Sequence, residues 1–315
     1  MAVNGKTLPA AVVFRHALQF FRDHALAEIG EGCGLDAGLN EEDVRWVLTV
    51  PAIWRQPAKQ LMREAAYKAG MASADQPQRL LIALEPEAAA IYCRKLKFWD
   101  LKDRSPAMST HTWHGNTCFT EYVIKELEKG TTYMVVDCGG GTVDITVHEI
   151  MDAEGNMKEI QKASGDACGS IEVDKAFEKL LEQVFGEAEL KRWKTKHPSA
   201  YVHLLATFET KKRYARPTKQ DPANLVENVF RSFKERKINY LFLVGGFAES
   251  PLLQERIKKE FQDRTKVIIP NDPAVVILKG ASMFGVDPSV VRVRRARMTY
   301  GVGVLQPFNV DMHPL

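Results

Sequence analysis

The sequence predicts an α/β fold, because strand-like and helix-like segments alternate along the chain. Apolar residues recur at helical spacing in some segments and form short runs typical of buried strands in others, and no fixed period suggests a repeat protein. Two of the strand-like runs end in consecutive glycines. These runs are residues 135–144 (Val-Val-Asp-Cys-Gly-Gly-Gly-Thr-Val-Asp) and 241–247 (Leu-Phe-Leu-Val-Gly-Gly-Phe).

Length and composition limit the class of protein. The 315 residues are 45% hydrophobic, which is enough for one large core or two smaller ones. The 43 basic and 40 acidic residues give a net charge of +3, so we expect no nucleic-acid partner. The 5 cysteines show no metal-like spacing and favour reduced thiols in a cytoplasmic compartment. No run is apolar for long enough to span a membrane, so we expect no membrane partner.

The first third of the chain predicts three helices and two strands. The helices have apolar residues three or four positions apart, and the strands are short apolar runs. Pro51 ends the first strand, Gly70 closes the second helix, and Pro86 lies in the first turn of the third. The predicted helices are residues 9–29, 56–69 and 85–95, and the predicted strands are residues 43–50 and 80–84.

An irregular segment, residues 97–117, separates these elements from the glycine-rich part of the chain. It contains His111 and His114, but nothing nearby completes a metal ligand set, so we interpret it as a surface loop. Beyond it the same patterns predict further elements. The predicted helices are residues 119–128, 171–185, 202–214, 225–236, 251–261 and 273–284, and the predicted strands are residues 132–137, 142–150, 240–244, 266–269 and a strand pair within 290–305.

The first glycine run carries the chemistry of a phosphate site. Glycines at the end of a strand let the backbone turn sharply and let amide N–H groups approach an anion. Asp137 and Asp144 flank the glycines, and Thr142 adds a hydroxyl. Because Mg²⁺ is held through carboxylates, water and phosphate oxygens, this pattern predicts a clamp for a nucleotide phosphate with hydrated Mg²⁺.

The order of these segments resembles the nucleotide-binding domain of the 70-kDa heat-shock protein family, within the actin and sugar-kinase superfamily, over nearly the whole chain. Residues 135–144 are similar to its second phosphate motif, residues 243–246 to its adenosine motif, and residues 85–90 and 274–284 to its two connecting helices. The amino-acid sequence of residues 50–60 and 242–250 resembles that of the divergent 12A/12B branch. That branch has this domain but no conventional peptide-binding domain.

The resemblance implies an actin-like, ribonuclease-H-like fold of two lobes that binds ATP or ADP with Mg²⁺. The first lobe would be partial and occupy residues 1–130, with a connecting helix at 85–95. Residues 131–270 would form the second lobe, and residues 271–315 the second connecting helix and a return to the first lobe. The fold would be incomplete, without the N-terminal strands of the first lobe and without part of the outer second lobe.

The resemblance also implies a role for each matching residue. The expected catalytic residues are Asp137, which would lie near Mg²⁺ and its waters, Thr142, near the γ-phosphate, and Glu85, beside the hydrated cation. The expected nucleotide-binding residues are Gly139, Gly140, Gly141 and Thr142 around the phosphates, Asp144 near the cation, Glu209, Lys212 and Arg213 at the ribose and base, and Gly245 and Gly246 beneath the adenosine.

Departures from the family pattern weaken the expected catalysis. The family's first phosphate loop and its later lysine have no counterpart here. Arg216 stands at a family serine, Glu249 at the adenine-stacking arginine and Lys59 at a relay arginine. We therefore expect nucleotide binding with weak or no hydrolysis, and whether the chain is an enzyme stays open. Lobe closure would be read by a protein partner, for which the chaperone network is a candidate.

Other interpretations of these residues stay open. One alternative is a pseudo-ATPase that acts through protein contacts without nucleotide, or a gene fragment. Another is a small-molecule kinase of the same superfamily, but it would need a general base, and we find no candidate in the sequence. The charges at positions 209–213 alone also fit a solvated helix face. Cys138 fits a packing role better than a nucleophile, and the arginines of residues 292–297 fit a strand with one wet face.

Overall fold

The computed structural model describes residues 7–32, 41–96, 111–113, 116–118, 129–212, 222–232 and 237–296. Helices and strands alternate through these residues. In chain order they are α1 (Ala10–Gly32), β1 (Trp46–Val50), α2 (Gln56–Lys68), β2 (Leu80–Leu84), α3 (Glu85–Cys93), β3 (His111–Trp113), β4 (Asn116–Cys118), β5 (Thr132–Cys138), β6 (Val143–Ile150), β7 (Met157–Asp166), α4 (Ile171–Phe185), α5 (Glu187–Lys196), α6 (Pro198–Lys212), α7 (Pro222–Ser232), β8 (Tyr240–Val244), α8 (Pro251–Phe261), β9 (Lys266–Ile268), α9 (Val276–Val286) and β10 (Val291–Val293).

A mixed sheet of six strands forms the centre of the described part of the chain, in the order β10-β7-β6-β5-β8-β9. Strands β5, β6 and β7 form an antiparallel meander, whereas β8 runs parallel to β5 and β9 runs parallel to β8. This arrangement confirms the predicted α/β class and is consistent with the actin-like ATPase fold.

Both faces of this sheet are covered, because the side chains of each strand alternate between two apolar cores. Tyr133 and Val135 of β5 pack into one core with residues of α3 and α9. Met134 and Val136 pack into the opposite core with residues of α7 and α8. The entire β5 strand is consequently buried, which fixes the position of the loop that follows it.

A second, smaller sheet consists of β1 and β2 in parallel, with Trp46 opposite Leu80 and Val50 opposite Leu84. Its core is formed by Leu18 of α1, by Val50 and Leu80, and by Met62 and Ala66 of α2. Strand β2 continues directly into α3, which packs on the large sheet. The first residue of α3 therefore connects the small sheet to a helix that covers the large one.

Helices α3 and α9 approach each other so closely that only glycine fits at the crossing. A Cβ atom added to Gly280 of α9 would overlap the carbonyl oxygen of Ala88 in α3. At the edge of this contact Lys279 Nζ donates to Tyr92 Oη over 3.3 Å. These are the two helices whose sequences resemble the connecting helices, and they are packed against each other along α3.

The first turn of α3 also contacts the chain that follows β10. Glu87, only 6% exposed, accepts a hydrogen bond of 2.7 Å from Arg294 Nε. Next to it the backbone N–H of Arg295 donates to Glu159 of β7 over 2.7 Å. Burial, together with the positive charge of Arg294, lowers the pKa of the neighbouring His148 to about 3. Arg294, one of the arginines expected on a wet strand face, is therefore part of an ion pair.

Most predicted elements are confirmed, and the differences have physical reasons. Strand β7 and helix α5 were not predicted, because both are rich in charged residues and depend on pairing or packing with distant segments. The short pair β3–β4 overlaps residues 97–117, where an irregular loop was expected. His114, the predicted helix at 119–128 and the tail beyond residue 296 lie outside the described residues. The division into lobes at residues 130 and 270 stays a prediction.

Within the described ranges, no helix combines the length and the apolar character needed to cross a membrane.

The contact between α3 and α9 predicts a large penalty for Gly280→Ala. Because the added methyl group would overlap a backbone oxygen rather than a flexible side chain, we expect a loss of about 1–3 kcal/mol or more in the free energy of unfolding. Urea unfolding followed by circular dichroism measures it. Gly30→Ala in α1 is the control, since nothing lies near its Cβ position and we expect a gain of up to about 1 kcal/mol. Equal effects of both changes would contradict the close packing.

Candidate functional site

Two glycine-rich turns lie side by side at one end of the large sheet. Because β5 and β8 are parallel neighbours with Asp137 opposite Val244, the chain leaves both strands at the same edge. Gly245, at φ +92°, donates its N–H to the Pro273 carbonyl over 2.9 Å. A Cβ atom on Gly245 would overlap both Asp137 Oδ1 and the Cys138 carbonyl oxygen. A residue with a side chain therefore does not fit between the two turns.

The start of α4 is anchored on the loop of residues 139–141. Ser170 N–H donates to the Gly139 carbonyl over 3.2 Å, and Ile171 N–H donates to the Gly140 carbonyl over 2.8 Å. Gly169 allows this approach, since a Cβ atom there would overlap the Gly140 carbonyl oxygen. Within the loop the Gly139 N–H donates to the Thr142 carbonyl over 2.9 Å. The loop therefore has a fixed shape, with Gly140 and Gly141 exposed at its tip.

A cleft of about 160 Å³ opens between this loop, α4, α6 and the turn after β8. It brings together Gly140, Glu209, Lys212 and Gly246, four predicted site residues that are distant in sequence. Its remaining lining residues are Ser170, Val173, Phe247 and Ser250. Arg213 lies outside the described residues.

Lys212 is positioned at the cleft by carboxylates on two helices. Its Nζ lies 3.1 Å from an oxygen of Asp174 in α4, and it forms a second ion pair with Glu209 in α6. Partial burial lowers the pKa of Lys212, but the hydrogen bonds that Lys212 donates to Glu209 and Asp174 outweigh this effect, and the pKa is raised. The rings of Phe177 and Phe208 stack 3.8 Å apart and hold α4 against α6. Lys212 is therefore a charged amine in a defined place.

Three carboxylates lie close together beside the turn that joins β5 to β6. Asp137 and Asp144 are opposite each other across these strands, and both are buried. Asp144 accepts hydrogen bonds from Thr142 Oγ1 over 2.8 Å and from the Ile53 N–H over 3.0 Å. Asp137 is 2% exposed, and no hydrogen-bond partner for its Oδ1 is found in the described part of the protein. The third carboxylate, Glu85, belongs to the first turn of α3.

The pKa values of Asp137 and Glu85 are raised by burial and by neighbouring carboxylates. For Asp137 burial is the main cause, and the nearby charges of Glu85 and Asp144 add to it. For Glu85 burial, with Asp144 adding, raises the pKa from 4.5 to about 7. The cluster thus holds more negative charge than its surroundings stabilise, and a bound cation would relieve that imbalance.

A hydrated Mg²⁺ fits this donor set better than a directly ligated metal. Among the described residues no group of three or more histidine, cysteine, aspartate or glutamate side chains is arranged to hold an ion. Asp137 Oδ1, however, is a buried acceptor without a hydrogen-bond partner in that part of the chain, and Mg²⁺ retains waters that donate to such oxygens. The exposed glycines beside it leave room for phosphate oxygens.

The structure separates the predicted site residues into two groups. Gly140, Glu209, Lys212 and Gly246 line the cleft. Asp137, Asp144 and Glu85, together with the hydroxyl of Thr142, form a separate carboxylate cluster whose members are not among the lining residues of the cleft. Gly139 and Gly245 shape the backbone between the two groups. Cys138 is buried in the core, and burial raises the pKa of its thiol well above the usual value, in keeping with the packing role.

Four lining residues were missed in the sequence. Phe247 directly follows the second glycine pair, so its position beside a glycine turn was a usable signal. Ser170 follows Gly169 at the start of a predicted helix, which is also a place where backbone groups approach a ligand. Val173 and Ser250 carried no signal, because a valine in a helix and a serine before a proline are common everywhere.

The chain is similar over almost its whole length to known heat-shock proteins. It is 38% identical to heat shock 70 kDa protein 12A of Homo sapiens and 40% identical to heat shock 70 kDa protein 12B of Homo sapiens, in each case over 99% of this chain and 58% of the relative. It is 22% identical to the chaperone protein DnaK of Psychrobacter cryohalolentis over 97% of this chain and 47% of that protein. No protein-family model matches the chain. The chain thus spans somewhat more than half the length of heat shock 70 kDa proteins 12A and 12B.

The pKa of Glu85 predicts that Glu85→Gln stabilises the protein at pH 8 and has little effect at pH 5. Because the pKa is higher in the folded protein than the ordinary value of 4.5, the folded state loses stability as pH rises from 4.5 to about 7. At pH values above that range, removing the charge should increase the free energy of unfolding by at most about 3 kcal/mol. Urea unfolding at both pH values measures the difference.

The control for this experiment is Glu255→Gln, which changes an exposed glutamate of α8. We expect no pH-dependent difference from it. A Glu85→Gln effect of the same size at pH 5 and pH 8 would contradict the raised pKa.

Proposed function

From the homology of this chain to the 12A/12B branch of the 70-kDa heat-shock family over 99% of its length, we propose that it is a module that binds ATP or ADP with Mg²⁺. The observation that carries the proposal is the cleft itself. Four residues assigned to a nucleotide from sequence, on three separate segments, line one cavity of about 160 Å³. Its neighbouring glycine loop offers backbone amides at an exposed tip, as phosphate sites do.

Each part of the nucleotide has a corresponding part of the cleft. The ribose and base would lie between Lys212 and the turn after β8, where Lys212 can donate to hydroxyls while Glu209 accepts from them. The phosphates would follow Gly140 and Gly141 toward Asp137. When bound, Mg²⁺ would supply the positive charge that neutralises the phosphates and the carboxylate cluster. Asp137 Oδ1 would accept a hydrogen bond from one of its waters.

We propose that hydrolysis is weak or absent. Phosphoryl transfer is catalysed by positioning and by positive charge around the transferring group. At the cleft, Lys212 is held by two carboxylates, and Asp137, Asp144 and Glu85 beside the glycine loop add negative charge. Asp137 and Thr142 would orient the cation waters and a phosphate oxygen, and Glu85, with a pKa near 7, is the candidate for a water-activating base. Nucleotide binding, rather than ATP hydrolysis, would thus be the main role of the chain.

The contact between α3 and α9 supports the proposal that lobe closure transmits the nucleotide state. Glu85 lies in the first turn of α3, so a change around the phosphates reaches the helix that packs on α9. A protein partner, for which the chaperone network remains a candidate, would read the relative position of the two helices. The proposed location is cytoplasmic.

Calorimetry with Mg-ADP tests the binding proposal through Lys212→Ala. Losing a charge-assisted hydrogen bond of about 1.5–3 kcal/mol should weaken binding roughly 10- to 150-fold. Lys211→Ala is the matched control, because Lys211 is the exposed neighbour on the same helix and does not line the cleft. Asp137→Asn combined with Thr142→Ala should weaken binding further in the presence of Mg²⁺. Absence of heat from the unmodified protein would favour the alternative, an interaction protein that does not use nucleotide.

A phosphate-release assay tests the proposal about hydrolysis. We expect turnover too slow to drive a chaperone cycle, with no difference between the unmodified protein and Asp137→Asn, which also controls for contaminating ATPases. Steady turnover that disappears in Asp137→Asn would show that the carboxylate cluster is a working catalytic site.

A further inference from the structure

We propose that Phe247 is a base-contacting residue of the cleft and that the cleft accepts purine nucleotides in general, guanine as well as adenine. The inference rests on the proposed function, because it concerns the same cleft. Phe247 is the aromatic residue among those that line the cleft.

The backbone of Phe247 is fixed by hydrogen bonds on both sides. Phe247 lies in a short 3₁₀ turn, Gly246–Glu249, directly after β8. The Ala248 N–H donates to the Gly245 carbonyl over 3.1 Å, and the Ser250 N–H donates to the Phe247 carbonyl over 3.0 Å. Ala248 is completely buried, and the Gln254 side chain donates to its carbonyl over 2.6 Å. The ring of Phe247 is therefore presented from a rigid turn.

The Phe247 ring is half-buried, packed on the core beneath the sheet edge, and it lines the cleft with its remaining surface. Val173 of α4 is the other large apolar side chain among the lining residues, and it is buried. The other side chains there, Ser170, Glu209, Lys212 and Ser250, are polar. An apolar surface with a few polar groups around it is the composition of a site for a flat aromatic ligand.

A phenyl ring can stack on any nucleobase and does not discriminate between bases. Stacking on an aromatic side chain tolerates every base, because each base has a π-face. The lining hydroxyl of Ser170 can donate or accept, so it does not require the donor and acceptor pattern of one purine. Purines offer a larger face than pyrimidines. The ligand class that fits is consequently the purine nucleotides.

The test compares Phe247→Ala, Phe247→Tyr and the unmodified protein in calorimetry with Mg-ADP, Mg-GDP and Mg-tripolyphosphate. Tripolyphosphate is the probe without a base. We expect Phe247→Ala to weaken both nucleotides roughly 5- to 150-fold, to leave tripolyphosphate unchanged, and Phe247→Tyr to retain nucleotide binding. Phe185→Ala, which removes an exposed ring at the end of α4, is the matched control and should change nothing. The unfolding temperature of each variant shows that it is folded.

The outcomes separate this inference from the proposed function. Equal ADP affinity of the unmodified protein and Phe247→Ala would overturn the role of Phe247 while nucleotide binding stands. An equal loss for nucleotides and tripolyphosphate would show that Phe247 acts through the fold alone. Binding of ADP without GDP would overturn the tolerance for purines. Absence of ADP binding by the unmodified protein would overturn both proposals together.

Discussion

The parallel pairing of β5 with β8 is the constraint on which the candidate site depends. These strands are separated by about a hundred residues in the chain, yet Asp137 lies opposite Val244, so the glycine turns that follow them meet at one edge. Glycine is required where they meet, since Gly245 leaves no space for a Cβ atom beside Asp137. The helices that line the cleft are then positioned by these turns, with α4 bonded to the loop of residues 139–141 and α6 packed against α4.

The second constraint is electrostatic and follows from the first. Asp137 of β5 and Asp144 of β6 are buried beside these turns, and Glu85 of α3 lies close enough to them to affect the pKa of Asp137. Buried like charges are unfavourable unless a proton or a cation is present, and Lys212 is already shared between Asp174 and Glu209. On the proposed function, this charge imbalance favours a ligand that brings its own positive charge. A nucleotide accompanied by a hydrated divalent cation has this property, whereas an unaccompanied anion does not.

The local part of this arrangement could be predicted from the sequence. Apolar runs ending in glycines located β5, β8 and both turns, because such patterns depend only on neighbouring residues. Glu209 and Lys212 were assigned through the family resemblance alone, since their place at the cleft depends on the stacking of Phe177 on Phe208 across two helices. The pKa of Glu85 could not be predicted, because it is set by burial and by a carboxylate 59 positions away in the sequence, Asp144.

The first turn of α3 carries two carboxylates that have different partners. Glu85 faces the cluster with Asp137 and Asp144, and two positions later Glu87 is paired with Arg294 after β10. Successive helical residues are rotated by about 100°, so these directions depend on the count of residues as well as on their identity. Substitutions can alter either carboxylate separately. A single inserted or deleted residue in this turn would redirect both at once, and among related sequences the length of this segment should vary less than its composition.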